Sequence, residues 1–155
     1  MTEPVYVVHQ EPSRWDPPFD TAYVSLAPRL TGQVEQLWLK NLGERLFRIV
    51  CVPFLTDGLA YLDVLALDPA GGPIRVHERS GHRVLRVMWQ PKEVSELAGF
   101  TDALVTVSEF LGIAHEHHGD RFIAFDIAPG VDAQELVGSL DKLAAEGHLN
   151  WEWGD

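Results

Sequence analysis

Ile113-Ala114-His115-Glu116-His117-His118-Gly119-Asp120-Arg121-Phe122-Ile123-Ala124-Phe125-Asp126-Ile127-Ala128 is the stretch on which the fold turns. Ile113 to His118 and Arg121 to Ala128 read as two strands, and Gly119-Asp120 between them is a compact hairpin signal. On the N-terminal side, Phe100, Leu104, Val107, Phe110 and Leu111 recur at helical spacing, and Gly112 supplies a C-terminal stop. On the other side, Asp132 with Glu135 three positions on resembles a capping box. Leu136, Val137, Leu140, Leu143 and Ala144 then form an apolar stripe closed by Gly147. Val84 to Trp89 and Leu149 to Trp153 read as flanking strands. The order from Val84 onward is β-α-β-β-α-β, which predicts a ferredoxin-like unit with two helices on one face of an antiparallel sheet.

Upstream the pattern is mostly β. Candidate strands are Thr21 to Leu26, Val34 to Lys40, Phe47 to Phe54, Leu62 to Leu67 and Ile74 to Arg79, with a strong turn signal at Asp68-Pro69-Ala70-Gly71-Gly72-Pro73. Short strands joined by tight turns predict a strongly bent sheet or small barrel. Pro4, Pro12, Pro17 and Pro18 mark residues 1–20 as an irregular arm, with Val5 to Val8 as a short candidate strand and Trp15 and Phe19 as its anchors. The expected fold class is α+β in one compact unit: an arm over 1–20, a β-rich lobe over 21–83 and a ferredoxin-like lobe over 84–155, the lobes sharing the strand Val84 to Trp89.

With 155 residues the chain is the size of one domain. Lys and Arg number 12 against 23 Asp and Glu, a formal net charge of -11, which repels phosphate backbones and argues against nucleic-acid binding. The lone Cys51 excludes an intramolecular disulfide and a cysteine-based zinc cluster, and its apolar neighbours mark it as a core thiol. Met1-Thr2-Glu3-Pro4 is unlike a secretory signal, and the apolar runs are far short of the roughly 20 residues of a membrane helix. A cytoplasmic location without membrane contact is the expectation.

Val52-Pro53-Phe54, Gly58-Leu59-Ala60-Tyr61-Leu62-Asp63-Val64, Ser80-Gly81-His82 and Arg86-Val87 together resemble a family of small bacterial proteins known as a domain of unknown function and common in actinobacteria. The resemblance runs from Leu37 to the last residue. It implies a bacterial cytosolic setting and carries over no catalytic residue.

Four constellations carry chemistry. His115 and His117 share one face of a strand, and Glu116 and His118 the other; two same-face histidines are short of a metal site, so no metal is expected. Arg75, His77 and Arg79 share a strand face, and His82 follows across a tight turn; guanidinium forks and imidazoles there suit a carboxylate or phosphate. Asp57 and Asp63 flank a turn and would serve as acid and base only if they met in a cleft. Ser80-Gly81-His82 alone is no catalytic triad fragment. Finally, no Lys or Arg lies between Lys92 and Arg121, and the stretch from Asp132 to Asp155 has Lys142 as its sole Lys or Arg. Glu109, Asp120 and Glu135 in this acidic half, with Trp151 and Trp153 on one strand face, form a candidate docking surface.

Composition therefore points first to a non-enzymatic acidic module that docks a basic protein, for instance an immunity-type inhibitor of a cationic toxin domain. The alternative is a small enzyme or ligand-binding protein with an anion-binding cleft between the lobes. No cofactor is expected, and the oligomeric state is left open.

Overall fold

The computed structural model describes residues 2–10, 17, 19–70, 73–90 and 94–155. It is an α+β protein with two sheets and two helices among these residues. The first sheet holds β1 (Val5–Val7), β2 (Asp20–Ser25), β3 (Gln33–Gly43), β4 (Leu46–Ile49), β5 (Val64–Ala66) and β6 (Arg75–Glu78). The second holds β7 (Arg83–Trp89), β8 (Ala114–His118), β9 (Phe122–Ile127) and β10 (Leu149–Trp153), with α1 (Val94–Phe110) and α2 (Gln134–Ala145).

β3 organises the first sheet. Its alternation buries Glu35, Leu37 and Leu39 and turns Val34, Gln36, Trp38 and Lys40 the other way. β2 pairs with it antiparallel from Asp20 opposite Leu39 to Ser25 opposite Val34, and β1 pairs parallel from Val5 opposite Gln33 to Val7 opposite Glu35. β4, β5 and β6 follow in order.

The second sheet runs β10-β7-β9-β8, with antiparallel neighbours throughout. Leu85, Val87 and Trp89 of β7 and Ile123, Phe125 and Ile127 of β9 pack with Leu97, Leu104, Leu136 and Leu140 of the helices. The opposite face brings Val84, Phe122 and Ala124 onto Val7, Leu26, Val52, Phe54 and Ala60 from the first half of the chain. Every residue of β9 is buried because both its faces are covered, hence its nearly unbroken apolar sequence. Both helices end as expected. Gly112 and Gly147 take positive φ, 71° and 78°, and the next residue's N–H reaches five residues back, Ile113 to Ser108 and His148 to Leu143.

Four expectations are corrected. Phe47 to Phe54 is strand only as far as Ile49, because Pro53 lacks an N–H and the N–H groups of Val52 and Phe54 go to side-chain carboxylates. Among the described residues no strand is shared: β7 pairs within the second sheet, and Ser80-Gly81-His82 carries the chain between sheets. Asp132 forms no capping box; the helix begins after Ala133, and Asp132 accepts the Gln134 N–H (2.9 Å). The short candidate strand of the arm is present as Val5–Val7, but the arm is not a loose appendage, because His9 just after it is fully enclosed. Phe19 lies on Trp38 with ring centroids 4.8 Å apart; Trp15, Gly71 and Gly72 fall outside the described residues.

Candidate functional site

Six acidic or basic side chains are buried among the described residues: His9, Glu35, Asp63, Arg86, Glu116 and Asp126. They lie in or beside the layer where the two sheets meet. Burying charge is costly unless each group is paired and hydrogen-bonded, so this layer is where the sequence departs furthest from a plain apolar core.

At its centre His9 stands between two carboxylates. Its Nε2–H donates to Glu35 Oε1 (2.9 Å) and its Nδ1–H to Glu116 Oε1 (3.0 Å), while the ring stacks on Phe54 at 4.1 Å. The remaining carboxylate capacity is filled by backbone. Glu35 accepts the N–H groups of Phe54, Leu55 and Thr56 and the Thr56 hydroxyl, and Glu116 accepts the Val52 N–H (2.6 Å). Burial alone would strip the His9 proton, but the two carboxylates hydrogen-bonded to the ring outweigh it and hold its pKa well above the ordinary value. Burial works against the Glu35 carboxylate too, and His9, Thr56 and Phe54 together hold its pKa below the ordinary value. Burial pushes the Cys51 thiol up, so it remains a protonated core group and no nucleophile. This triad is enclosed on all sides and serves as a clasp between the sheets.

Arg86, 2% exposed, sits at one edge of the layer. Its guanidinium donates to the carbonyls of Leu55, Thr56 and Gly154 and to Asp57 Oδ1 (2.8 Å), and Asp57 and Glu152 also pair with Arg29. The balanced cluster borders a cavity of about 200 Å³ with Met88, Phe122 and Asn150 on its walls.

The open site lies beside it, past Gly154, whose carbonyl accepts from Arg86 and which also lines the cleft. The Ser80-Gly81-His82 turn is locked from three directions. Ser80 N–H donates to Asp63 Oδ1 (2.8 Å), Ser80 Oγ–H donates to the Tyr61 carbonyl (2.7 Å), and His82 N–H donates to Ser80 Oγ (3.1 Å). Gly81 has φ of 83°, and a Cβ there would meet Pro129 Cγ at 3.0 Å. His82 is thereby fixed with its Nδ1–H on Asp126 Oδ1 (2.7 Å), a carboxylate fully buried on β9, and Tyr61 edge-on to the ring at 5.4 Å. An imidazole held this way keeps one tautomer and leaves Nε2 for a ligand. The cleft beside it has a volume of about 350 Å³ and is lined by Arg79, Arg83, Asp63 and Asp155 as well as His82. Leu62, directly before Asp63, takes φ of 67°, an unusual backbone state for a branched residue.

Of the expected anion contacts, the structure brings together Arg79 and His82. His77 is exposed on β6, and Arg75 borders a separate surface depression with Arg45 and Asp68. Arg79 donates to the Gly58 carbonyl and pairs with Asp63 at 3.4 Å. Asp57 and Asp63 do not meet as acid and base: Asp63 caps its turn through the Ala60 and Ser80 N–H groups, and Asp57 pairs with arginines. The expected docking residues are dispersed. Glu109 lies at the end of α1 before β8, Asp120 lies beyond the far end of β8, roughly 17 Å along a five-residue strand, and Glu135 lies in the first turn of α2. Trp151 and Trp153 are half-buried against the helical core; Trp151 Nε1–H donates to Asp141 (3.0 Å), and Arg83 lies over the Trp153 ring at 3.8 Å. His115 and His117 do share a face, with rings 5.0 Å apart, and burial lowers the His115 pKa; Glu116, on the other face, is fully buried rather than solvated. No cluster of three or more potential metal ligands occurs among the described residues.

Sequence reasoning missed Asp126, Glu35 and His9, and set Arg83 beside the Arg75-His77-Arg79 face without assigning it a contact. Asp126 carries a signal: it is the one acid in an otherwise apolar strand.

Two sheets clasped by a buried ionic layer, with one oriented imidazole at an open rim, define an α+β class without a metal or cofactor motif to name a chemistry. The chain belongs to the family described as Domain of unknown function (DUF4265), which matches residues 35–151. No curated protein matches the sequence. A solved structure described as a hypothetical protein from Neisseria gonorrhoeae is similar in fold, with a TM-score of 0.63 and 15% identity over 98% of this chain and 94% of that one. No helix among the described residues is long and apolar enough to cross a membrane.

Proposed function

We propose that the protein binds an anionic small molecule in the cleft beside His82 and that His82 exchanges a proton or hydrogen bond with it. The observation that carries this reading is the Asp126–His82 pair at 2.7 Å: a buried carboxylate orienting an imidazole at a cleft lined by Arg79 and Arg83. Whether turnover follows depends on the ligand, and the site supports general acid–base chemistry if it does. NMR of the His82 ring during titration with small carboxylates tests the reading. A saturable shift of His82, absent in His82→Gln, is expected; signals that move only at other histidines would overturn it.

Docking of a basic protein, such as a toxin domain, on the acidic half is a second reading. It is supported by Phe110, which is 83% exposed beside Glu109. The dispersal of Glu109, Asp120 and Glu135 and the packing of both tryptophans make it the weaker of the two. The strand order β10-β7-β9-β8 with both helices on one face supports reading residues 84–155 as ferredoxin-like, beside a bent β-lobe over 21–83. The single cysteine, buried and free of a disulfide, suits a cytoplasmic setting.

A further inference from the structure

Arg83 differs from the other cations at the cleft. Arg79 is committed to the Gly58 carbonyl and to Asp63, a buried carboxylate that also caps its own turn. Arg86 is enclosed by carbonyls. Arg83 is half-exposed, its guanidinium lies over the Trp153 ring at 3.8 Å, and a single Nη2 holds both oxygens of Asp155 at 3.0 and 3.2 Å. Packing against the aromatic ring restricts the guanidinium, so less of its freedom is left to lose when an anion arrives. The pair it makes with Asp155 is exposed on both sides, 47% and 58%, and such pairs contribute little. Asp155 is therefore easily exchanged.

Resting on the reading of the cleft above, we infer that Arg83 is its anion-receiving group, that Asp155 is a built-in competitor seated where the ligand's charge goes, and that the ligand is a singly charged carboxylate. The charge balance selects the ligand class. Asp63, Asp126 and Asp155 line or underlie the cleft, three carboxylates to the two guanidinium groups of Arg79 and Arg83. Replacing the Asp155 carboxylate by another monoanion leaves that balance intact. A phosphate dianion adds an uncompensated negative charge beside two buried carboxylates. Asp155 also shows the shape that fits: a planar two-oxygen group.

The test titrates the full-length chain with propionate and, separately, with inorganic phosphate, following the His82 ring signals and the heat of binding. Propionate is expected to bind Asp155→Asn about three- to five-fold more tightly than the parent, the scale of one exposed ion pair. Arg83→Gln should lose propionate binding in both backgrounds while its urea midpoint stays close to the parent's, and Arg83→Lys should recover it only in part. Equal affinity in the parent and Asp155→Asn removes the competitor role but leaves the cleft reading standing. Tighter binding of phosphate than of propionate overturns the ligand class. If propionate perturbs His82 in neither protein, the cleft reading itself falls, and this inference with it.

Discussion

His9, Glu35 and Glu116 show how three side chains far apart in sequence can replace a stretch of regular backbone pairing. The segment from Val52 to Thr56 makes its hydrogen bonds to Glu35 and Glu116, so those carboxylates hold both the His9 ring and the chain that crosses between sheets. The pH dependence has a definite sign. Because the His9 pKa is raised from 6.5 to about 12, its contribution is fully present below pH 6.5 and is lost as pH climbs toward the folded value. Because the Glu35 pKa is lowered from 4.5, its contribution is fully present above pH 4.5 and is lost as pH falls. The clasp thus stabilises most between pH 4.5 and pH 6.5, on the acid side of neutrality. Glu35→Gln leaves the imidazolium with one carboxylate and presents an amide to backbone donors. The expected cost is about 3 kcal/mol or more, read from urea unfolding at several pH values, with a shallower loss of stability on the acid limb than in the parent. A variant as stable as the parent at neutral pH would show that the clasp is dispensable.

Where β10 ends, Gly154 lies against Arg86. A Cβ at Gly154 would sit 2.8 Å from Arg86 Nη2 and 3.2 Å from both its Nε and Val84 Cβ, and the guanidinium cannot retreat from the carbonyls that hold it. Gly154→Ala is expected to cost about 1–3 kcal/mol through overpacking. Gly138, exposed on α2 with nothing within 4 Å of where a Cβ would sit, supplies the contrast. Gly138→Ala should stabilise by about 0.5–1 kcal/mol through helix propensity. Urea unfolding of the two variants side by side checks both signs. The helices, the hairpin around Gly119 and the strand Leu149 to Trp153 were legible in the sequence because their periods and glycine stops are local. Val50 to Phe54 was not, because what prevents it from pairing as a strand lies in Glu35 and Glu116 and is visible only once the sheets have met. Half of the expected anion face lies away from the cleft for a related reason. Strand alternation places Arg75, His77 and Arg79 together, but the cleft is built where the Ser80-Gly81-His82 turn leaves that strand. Asp126 could have been found, since an acid inside Phe122–Ile127 needs a partner; His9, in a short polar stretch after β1, offered no such sign.

The two sheets have no strand in common, so their union rests on side chains. Val84, Phe122 and Ala124 lose their cover if the first sheet departs, and Val52, Phe54 and Ala60 lose theirs. Each half would then present an apolar face studded with carboxylates and Arg86, too much exposed surface for a stable intermediate. The net charge of -11 opposes compaction, yet the layer between the sheets balances charge locally with His9, Arg86 and backbone donors. Unfolding is accordingly expected to be a single cooperative event. Native-state hydrogen exchange should give the amides of Leu37 and Leu39 in β3 the same opening free energy as those of Leu85 and Val87 in β7, equal to the global value from urea. A first sheet that opens at distinctly lower free energy, with the helical half still protected, would mean two independent units in contact, and the cleft beside His82 would then be a mobile joint rather than a preformed site. Ligand binding adds a further check on the same coupling. Because the cleft takes Arg79 from the first half and His82 and Arg83 from the second, propionate that binds there should raise the opening free energies of β3 and β7 amides together, by equal amounts.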